Sequence, residues 1–507
     1  MPHGDLAQVA AVVGAVGSVL VLLARSRAPL LGGFGVLAAA EVMLAVALIP
    51  RSDLARLERP LPLAGVVVVV VAALALAYVL VRWPVLTPIA LLLAAPFRIP
   101  VNLGSQHAFL LLPLYFALSA AALAFCWRSV RTPPTPVTWI LGLPVAAFIA
   151  LEAVSLLWSQ DLKQGSIELV FFLFPFAVLF TIVARMHLTS WMPRALGVTL
   201  VALTTAFALI GLYQRATHTL LYAPSLKVEN AFTSYFRVSS VFKDPSLFGR
   251  YLALGIVVLM AAYLLGRVRL EIVAVPLAVS FAALWFSYSQ SSMVTIFAVL
   301  VALVLVTGSR GMRRVVIAAA AAFVLAAGAV VAVHARNDSA KKFTSDRSRL
   351  VSVTWKVFRN HPLAGVGVGG QPKASQEEAA RHLEASRNRS HTTPLTVAAE
   401  LGVLGILAYL AFVAGAARTL FTVERRHRAL GIGLAAVFLT LLVHSLFYSG
   451  FFEDPVTWGV LAVAAAALAV RPVADAPVST DGAGSADEIV TLDRSSADRS
   501  TPLRVES

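Results

Sequence analysis

An all-α fold is predicted: a polytopic transmembrane bundle of about 12–15 helices, with one large extracytoplasmic helical loop. Three observations predict it. The 507-residue chain is 59% hydrophobic with a mean hydropathy of +0.83, and 13% of its residues are charged, a composition too apolar for a water-soluble core. Apolar runs of roughly 20 residues recur along it, the length a helix needs to cross hydrocarbon. A helix also satisfies its own backbone groups where water is absent, which favours helices over other spanning elements. One long polar interruption, residues 335–394, breaks the pattern.

The runs fall near 6–24, 29–49, 62–82, 85–97, 107–127, 137–157, 166–185 and 195–213, then 246–266, 270–288, 290–307, 313–334, 395–417, 428–449 and 455–471. The run 85–97 is short for a span and reads as re-entrant or as a tilted half-helix. The first run starts at Leu6 without a basic leader or a small-residue cleavage site, so the first helix is expected to stay. Basic residues collect in short loops that remain cytoplasmic. Trp127–Arg131, Arg267–Arg269, Ser309–Arg314 and Glu424–Arg428 are mutually consistent as that face. Alternation then puts 158–166, 214–245, the turn at Gln290 and 335–394 outside, and a fifteen-helix count puts the N-terminus outside too. The expected division is 1–334 transmembrane, 335–394 extracytoplasmic loop, 395–471 transmembrane, and 472–507 a cytoplasmic tail. That tail is rich in Ala, Ser, Asp and Pro and has no apolar period, so it is expected to be disordered.

Composition also excludes. A single cysteine, Cys126, has no partner for a disulfide or a CxxC site and is expected to pack between helices. The net charge of +15 is scattered over short loops rather than gathered in one domain, so nucleic acid is not an expected partner. No Asp-x-Asp pair or His/Cys/carboxylate cluster on the outer face has metal-ligand spacing, and no metal or other cofactor is expected.

The loop 335–394 carries eleven Lys or Arg against five Asp or Glu. An outside basic surface suits an anionic substrate, although a merely solvated loop would look the same. Leu350, Val353, Val357 and Phe358 recur at helical spacing, predicting an amphipathic helix along the membrane surface; a second, more polar helix is expected over 374–388. Between them Gly365, Gly367, Gly369 and Gly370 suit either an anion-binding backbone nest or a flexible turn. His391 stands at the water-to-lipid boundary, where an imidazole titrates near neutrality and reaches both phases. Glu400 falls inside the next helix, costly in lipid unless paired or facing a cavity. Upstream, Arg237, Lys243 and Arg250 offer positive charge, and arginine forks match phosphate oxygens.

The run Ser345-Asp-Arg347 to Asn360-His-Pro-Leu-Ala-Gly-Val-Gly367, followed by Ser390-His391 and Ala399-Glu400-Leu-Gly402-Val-Leu-Gly405, resembles the signature of the O-antigen ligase and polymerase family. Arg237 to Tyr251 is similar to that family's upstream arginine segment, and the resemblance covers about 137–450. It implies a GT-C-like, metal-independent, inverting glycosyltransferase of the plasma membrane. Its active site would face outward, with an undecaprenyl-diphosphate-linked glycan as donor and a glycan or lipid as acceptor. Membrane lipids and a polysaccharide-assembly complex are the further implied partners. His391 would be the catalytic base, and Arg237 and Arg347 would hold the departing diphosphate. The chain departs from the family at Ser289-Gln290-Ser291-Ser292, where serine-arginine is usual, at Thr392, and at Asp244-Pro245-Ser246. Arg250, Lys243 and Gln290 are therefore added as substrate-binding candidates, with Glu400.

Two other classes compete. Glu41, Glu152 and His444 lie within apolar runs, as ionisable groups do along the ion pathway of a transporter. No inverted pair of glycine- or proline-broken helices accompanies them, however. A scaffold of a polysaccharide-export complex leaves the spacing of arginine and histidine without a purpose.

Overall fold

The computed structural model describes residues 4–49, 60–103, 106–221, 223–336, 347–380 and 390–469. It is a helix bundle. Eleven described helices are long and apolar enough to cross a membrane, from Gly4–Leu23 to Thr393–Arg426. Pro84–Ala94, Arg428–His444 and Pro455–Ala469 are apolar but shorter, and Arg310–Arg336 takes the remaining run. Val66 to Val71 are each about half exposed, as expected of a helix whose whole circumference is apolar and whose solvent is lipid. Where helices touch, small residues let backbones approach: a Cβ on Gly17 would strike the Leu37 backbone, and one on Gly14 the Phe174 ring.

Hydrogen bonds sort the connections between two ends of the bundle. At one end Arg27 donates to the carbonyls of Val130 and Arg131, Arg185 to Thr135, Val21 and Leu22, and Arg426 to Leu468. These are the basic turns. At the other end Gln8 donates to Leu157, and Arg98 to the carbonyl of Glu453. The first helix thus begins at the same end as the 156–158 turn.

An antiparallel hairpin, Ile99–Leu103 with Gln106–Leu110, departs from the all-helical expectation. The run read as 107–127 is a strand followed by a helix, Leu112–Arg131, with Pro113 in its first turn. Proline suits that position because its missing N–H would be unpaired there anyway.

Beyond the helix ending at Arg336, the amphipathic segment forms a helix, Arg347–Asn360, with Val357 buried and Trp355 exposed against Phe358. The polar helix is Gln371–Ala380, earlier than expected; 381–388 of its expected range lies outside the described residues, as does the 472–507 tail. The glycine run between these helices corrects both sequence readings. It is neither a nest nor a loose turn, because its donors are consumed by the protein. Val366 N–H bonds the Ala399 carbonyl (3.0 Å), Gly367 N–H the Glu400 carbonyl (2.8 Å), and Val368 N–H the Ser155 hydroxyl (2.9 Å). In return Val366 C=O accepts from Gln160 N–H, and Val368 C=O from the Ser159 hydroxyl.

The partner of this run is a break in the helix Thr393–Arg426 at Gly402, whose φ of 64° and ψ of −153° only glycine adopts at low cost. Freed by the break, Val403 N–H bonds the Pro362 carbonyl at 2.8 Å. A Cβ on Gly402 would collide with the Leu363 carbonyl. Gly402→Ala is accordingly expected to lose about 1–3 kcal/mol from backbone strain, before any clash is counted. A lowered thermal midpoint of the purified chain is the check, and an unchanged midpoint would contradict the interlock.

Candidate active site

The site collects at the end of the bundle opposite the basic turns, around the connection 445–454 between two short apolar helices. Aromatic packing fixes that connection. Phe452 stacks on Phe148 (4.2 Å), and Phe451 meets Phe452 edge to face (5.0 Å). Trp458 donates its indole N–H to the Phe452 carbonyl (2.8 Å). Each such ring pair adds on the order of 0.5–1.5 kcal/mol beyond the area it buries.

Held beneath it is Arg250, 2% exposed near the start of the helix Pro245–Leu264. Its guanidinium donates to Asp454 Oδ2 (3.0 Å), to the carbonyls of Gly450 (3.0 Å) and Ser449 (3.2 Å), and through Nε to His444 Nδ1 (3.2 Å). Because His444 Nδ1 accepts, its proton lies on Nε2, which faces the hydroxyls of Ser292 (3.2 Å) and Ser291 (3.3 Å). That tautomer makes His444 a donor toward the serines and leaves it no lone pair with which to activate them. A buried ion pair with four of the five guanidinium N–H groups placed is a rigid support. Arg250, a sequence candidate for substrate contact, spends its donors inside the protein.

The Arg250 guanidinium also lies over the Tyr448 ring (5.3 Å), and the His391 ring stands 6.4 Å from the same tyrosine. Desolvation holds the Tyr448 phenol above the ordinary tyrosine pKa, so at neutral pH the ring is a neutral platform. His391 itself is partly buried, two residues ahead of the helix beginning at Thr393. Its approach is set by Gln371, fully buried, whose carbonyl accepts from Ser390 N–H (3.2 Å) and whose own N–H bonds Glu400 Oε1 (3.3 Å). The Gln371 amide is held in turn by Thr354 and Ser375. Glu400 and Ser390, the residue before His391, are therefore linked through one glutamine.

The remaining candidates are placed as follows. Arg237 bonds Glu229 (2.6 Å) and the Ser287 carbonyl (3.4 Å), with its side chain 18% exposed, and so sits beside the serine turn that contacts His444. Gln290 is exposed in that turn. Lys243 is exposed next to Asp244, whose carboxylate caps the helix holding Arg250. Arg347 opens the helix Arg347–Asn360, and its side chain is outside the described set. Arg237, Arg250, His444 and the serines form one connected network, and Tyr448 joins His391 to it.

Sequence reasoning missed Gln371, Tyr448 and Asp454. Gln371 directly follows the glycine run, and Asp454 precedes Pro455 as a capping residue would, accepting from Val456 N–H (3.0 Å). His444 drew attention as an intramembrane histidine but for another function.

Residues 254–410 match the family model described as O-antigen ligase. Over this span, about a third of its length, the chain is similar to the O-antigen ligase family. The matched segment includes Gln290, Arg347, His391 and Glu400, while Arg237, Lys243 and Arg250 precede it and Tyr448 and Asp454 follow it. No curated protein matches the chain. A glycan-joining, multi-pass membrane protein of O-antigen ligase type is what family and fold together support.

Proposed function

We propose that the protein is a metal-independent, inverting glycosyltransferase of the plasma membrane. Its active site opens on the extracytoplasmic face, and it joins glycans carried on undecaprenyl diphosphate to a glycan or lipid acceptor. The observation that carries this reading is the O-antigen ligase match across the segment that holds His391, at the end of the bundle away from the basic turns. Positive-inside logic makes that end the outer one.

In the reaction, the acceptor hydroxyl attacks the anomeric carbon and gives its proton to His391. The bond from that carbon to the diphosphate oxygen breaks, and the electron pair leaves with the diphosphate. One displacement inverts the centre. Charge grows on the departing oxygens, and Arg237 and Arg347, aided by Lys243, stabilise it as it develops. Arg237 is the fork most open to substrate among the described arginines of this network, since only surface Glu229 and one carbonyl compete for it. Arg250 acts from below by fixing Tyr448 and the 449–454 connection.

Arg237→Lys is expected to reduce turnover about tenfold or more, because a point charge does not reproduce a bidentate contact. The assay is release of polyprenyl diphosphate by membranes containing the variant, and parental turnover would remove Arg237 from the diphosphate site. Removal of the gene tests the wider reading. Accumulation of lipid-linked glycans is expected, short unjoined units if the protein polymerises and full-length unattached chains if it ligates. A normal lipid-linked pool would refute it.

A further inference from the structure

A second feature at this end of the bundle has the opposite charge. A cavity of about 60 Å³ is lined by Glu152, Glu168, Glu400, Glu453, Thr393 and Thr396. Ser449 and Gly450, whose carbonyls bind Arg250, form a shared wall with the arginine network. Three helix irregularities make room for it. A wide π turn, Leu169–Leu173, follows Glu168; the helix Trp139–Ser155 stops just beyond Glu152; and the Gly402 break lies two residues past Glu400. Wide turns of this kind concentrate at functional sites.

Two polar atoms there lack a partner among the described residues: Glu152 Oε2 and Thr393 Oγ1, on side chains whose residues are 6% and 5% exposed. Burying such groups unpaired costs stability, which a ligand able to bond them would recover. A wall of carboxyl groups offers a diphosphate no positive charge, so this is no donor site. Among the described residues no group of His, Cys, Asp and Glu is arranged to hold a metal ion. Carboxylate oxygens and a threonine hydroxyl instead match the hydroxyl groups of a sugar, which donate to the first and either donate to or accept from the second. The volume suits the hydroxyl-bearing edge of one ring.

We infer that this cavity is the acceptor subsite, taking the hydroxyl groups of an uncharged sugar and presenting the neighbouring hydroxyl to His391, two residues from Thr393. The inference rests on the glycosyl-transfer reading and adds to it the separation of donor and acceptor by charge. The arginine side of the 449–454 connection takes the diphosphate, and the carboxylate side takes the neutral glycan.

The test is saturation-transfer NMR on the full chain in lipid nanodiscs. The probes are methyl β-D-glucoside, methyl β-D-galactoside, methyl α-D-mannoside and the anionic methyl β-D-glucuronide. At least one neutral glycoside is expected to give a signal that falls about fivefold or more in Glu152→Gln and in Thr393→Val, with the glucuronide far weaker. Thr393→Val removes a hydroxyl that bonds nothing described in the protein, so it retains the parental thermal midpoint and keeps the test open if Glu152→Gln misfolds. No signal from any neutral glycoside, signals unchanged in the folded variants, or a glucuronide that binds equally well would each overturn the assignment. Its failure is distinct from that of the transferase reading. Lipid-linked glycans that accumulate on gene removal, without Glu152-dependent glycoside binding, sink only the subsite. Glycoside binding with a normal lipid-linked pool sinks the transferase and leaves a sugar site.

Discussion

His391→Ala is expected to stop glycan joining while leaving the chain folded and inserted, with a loss of about 10²–10⁴-fold, the usual contribution of a general base. The expectation follows from position. His391 stands against the Tyr448 ring, and the residue before it is clamped by buried Gln371, so the imidazole is oriented before substrate arrives. Preorganisation of this kind costs nothing at the moment of reaction. Its partly buried ring carries little of the core, and the thermal midpoint should hardly move. Cells carrying the variant should accumulate lipid-linked precursor, whereas an ion transporter would keep its flux. Parental turnover would remove His391 from proton transfer.

Asp454→Ala is expected to have the largest effect on stability, about 3–5 kcal/mol, because it leaves Arg250 charged and buried without its counter-ion. Arg250 and Asp454 side chains are 3% and 1% exposed, so water cannot replace the lost partner. The same carboxylate caps the following helix at Val456, which adds a smaller loss of about 1 kcal/mol. Thermal unfolding of the purified variant reads the sum. The double variant Arg250→Leu with Asp454→Leu should recover part of it, since removing both charges relieves the burial penalty. A double variant no more stable than Asp454→Ala would mean that the pair is not the element holding the connection.

Much of the architecture was legible because lipid imposes one rule. Each of the fifteen apolar runs corresponds to a helix, and the run 85–97, suspiciously short, is indeed the short helix Pro84–Ala94 after a membrane-length one. The hairpin at 99–110 escaped because its apolar residues merged with the helix that follows; Pro113 was the marker of the boundary. The glycine run illustrates a deeper limit. Gly365, Gly367 and Gly402 all have positive φ, but composition does not say whether such backbone meets an anion or another backbone. Only the contact partners, Ala399, Glu400 and Leu363, decide for the second.

The candidate site was legible in part. Arg237 and His391 drew attention through residue type and through the family they resemble. The supports are tertiary facts. Arg250 reads as a phosphate fork until Asp454, 204 positions away in the chain, is found against it. Glu152 reads as a transport residue until Glu168, Glu400 and Glu453 are seen to share its cavity. No local pattern links these positions, because, apart from adjacent Glu453 and Asp454, each lies on a different helix.

The most direct measurement is turnover by the purified chain in vesicles, supplied with a polyprenyl-diphosphate-linked glycan and an acceptor glycan, with chelator present throughout. Glycosyl transfer at His391 predicts that polyprenyl diphosphate appears in step with joined product whose new linkage is inverted, and that both disappear in His391→Ala. Joined product without polyprenyl diphosphate, a retained anomeric configuration, or equal product from the variant would contradict it.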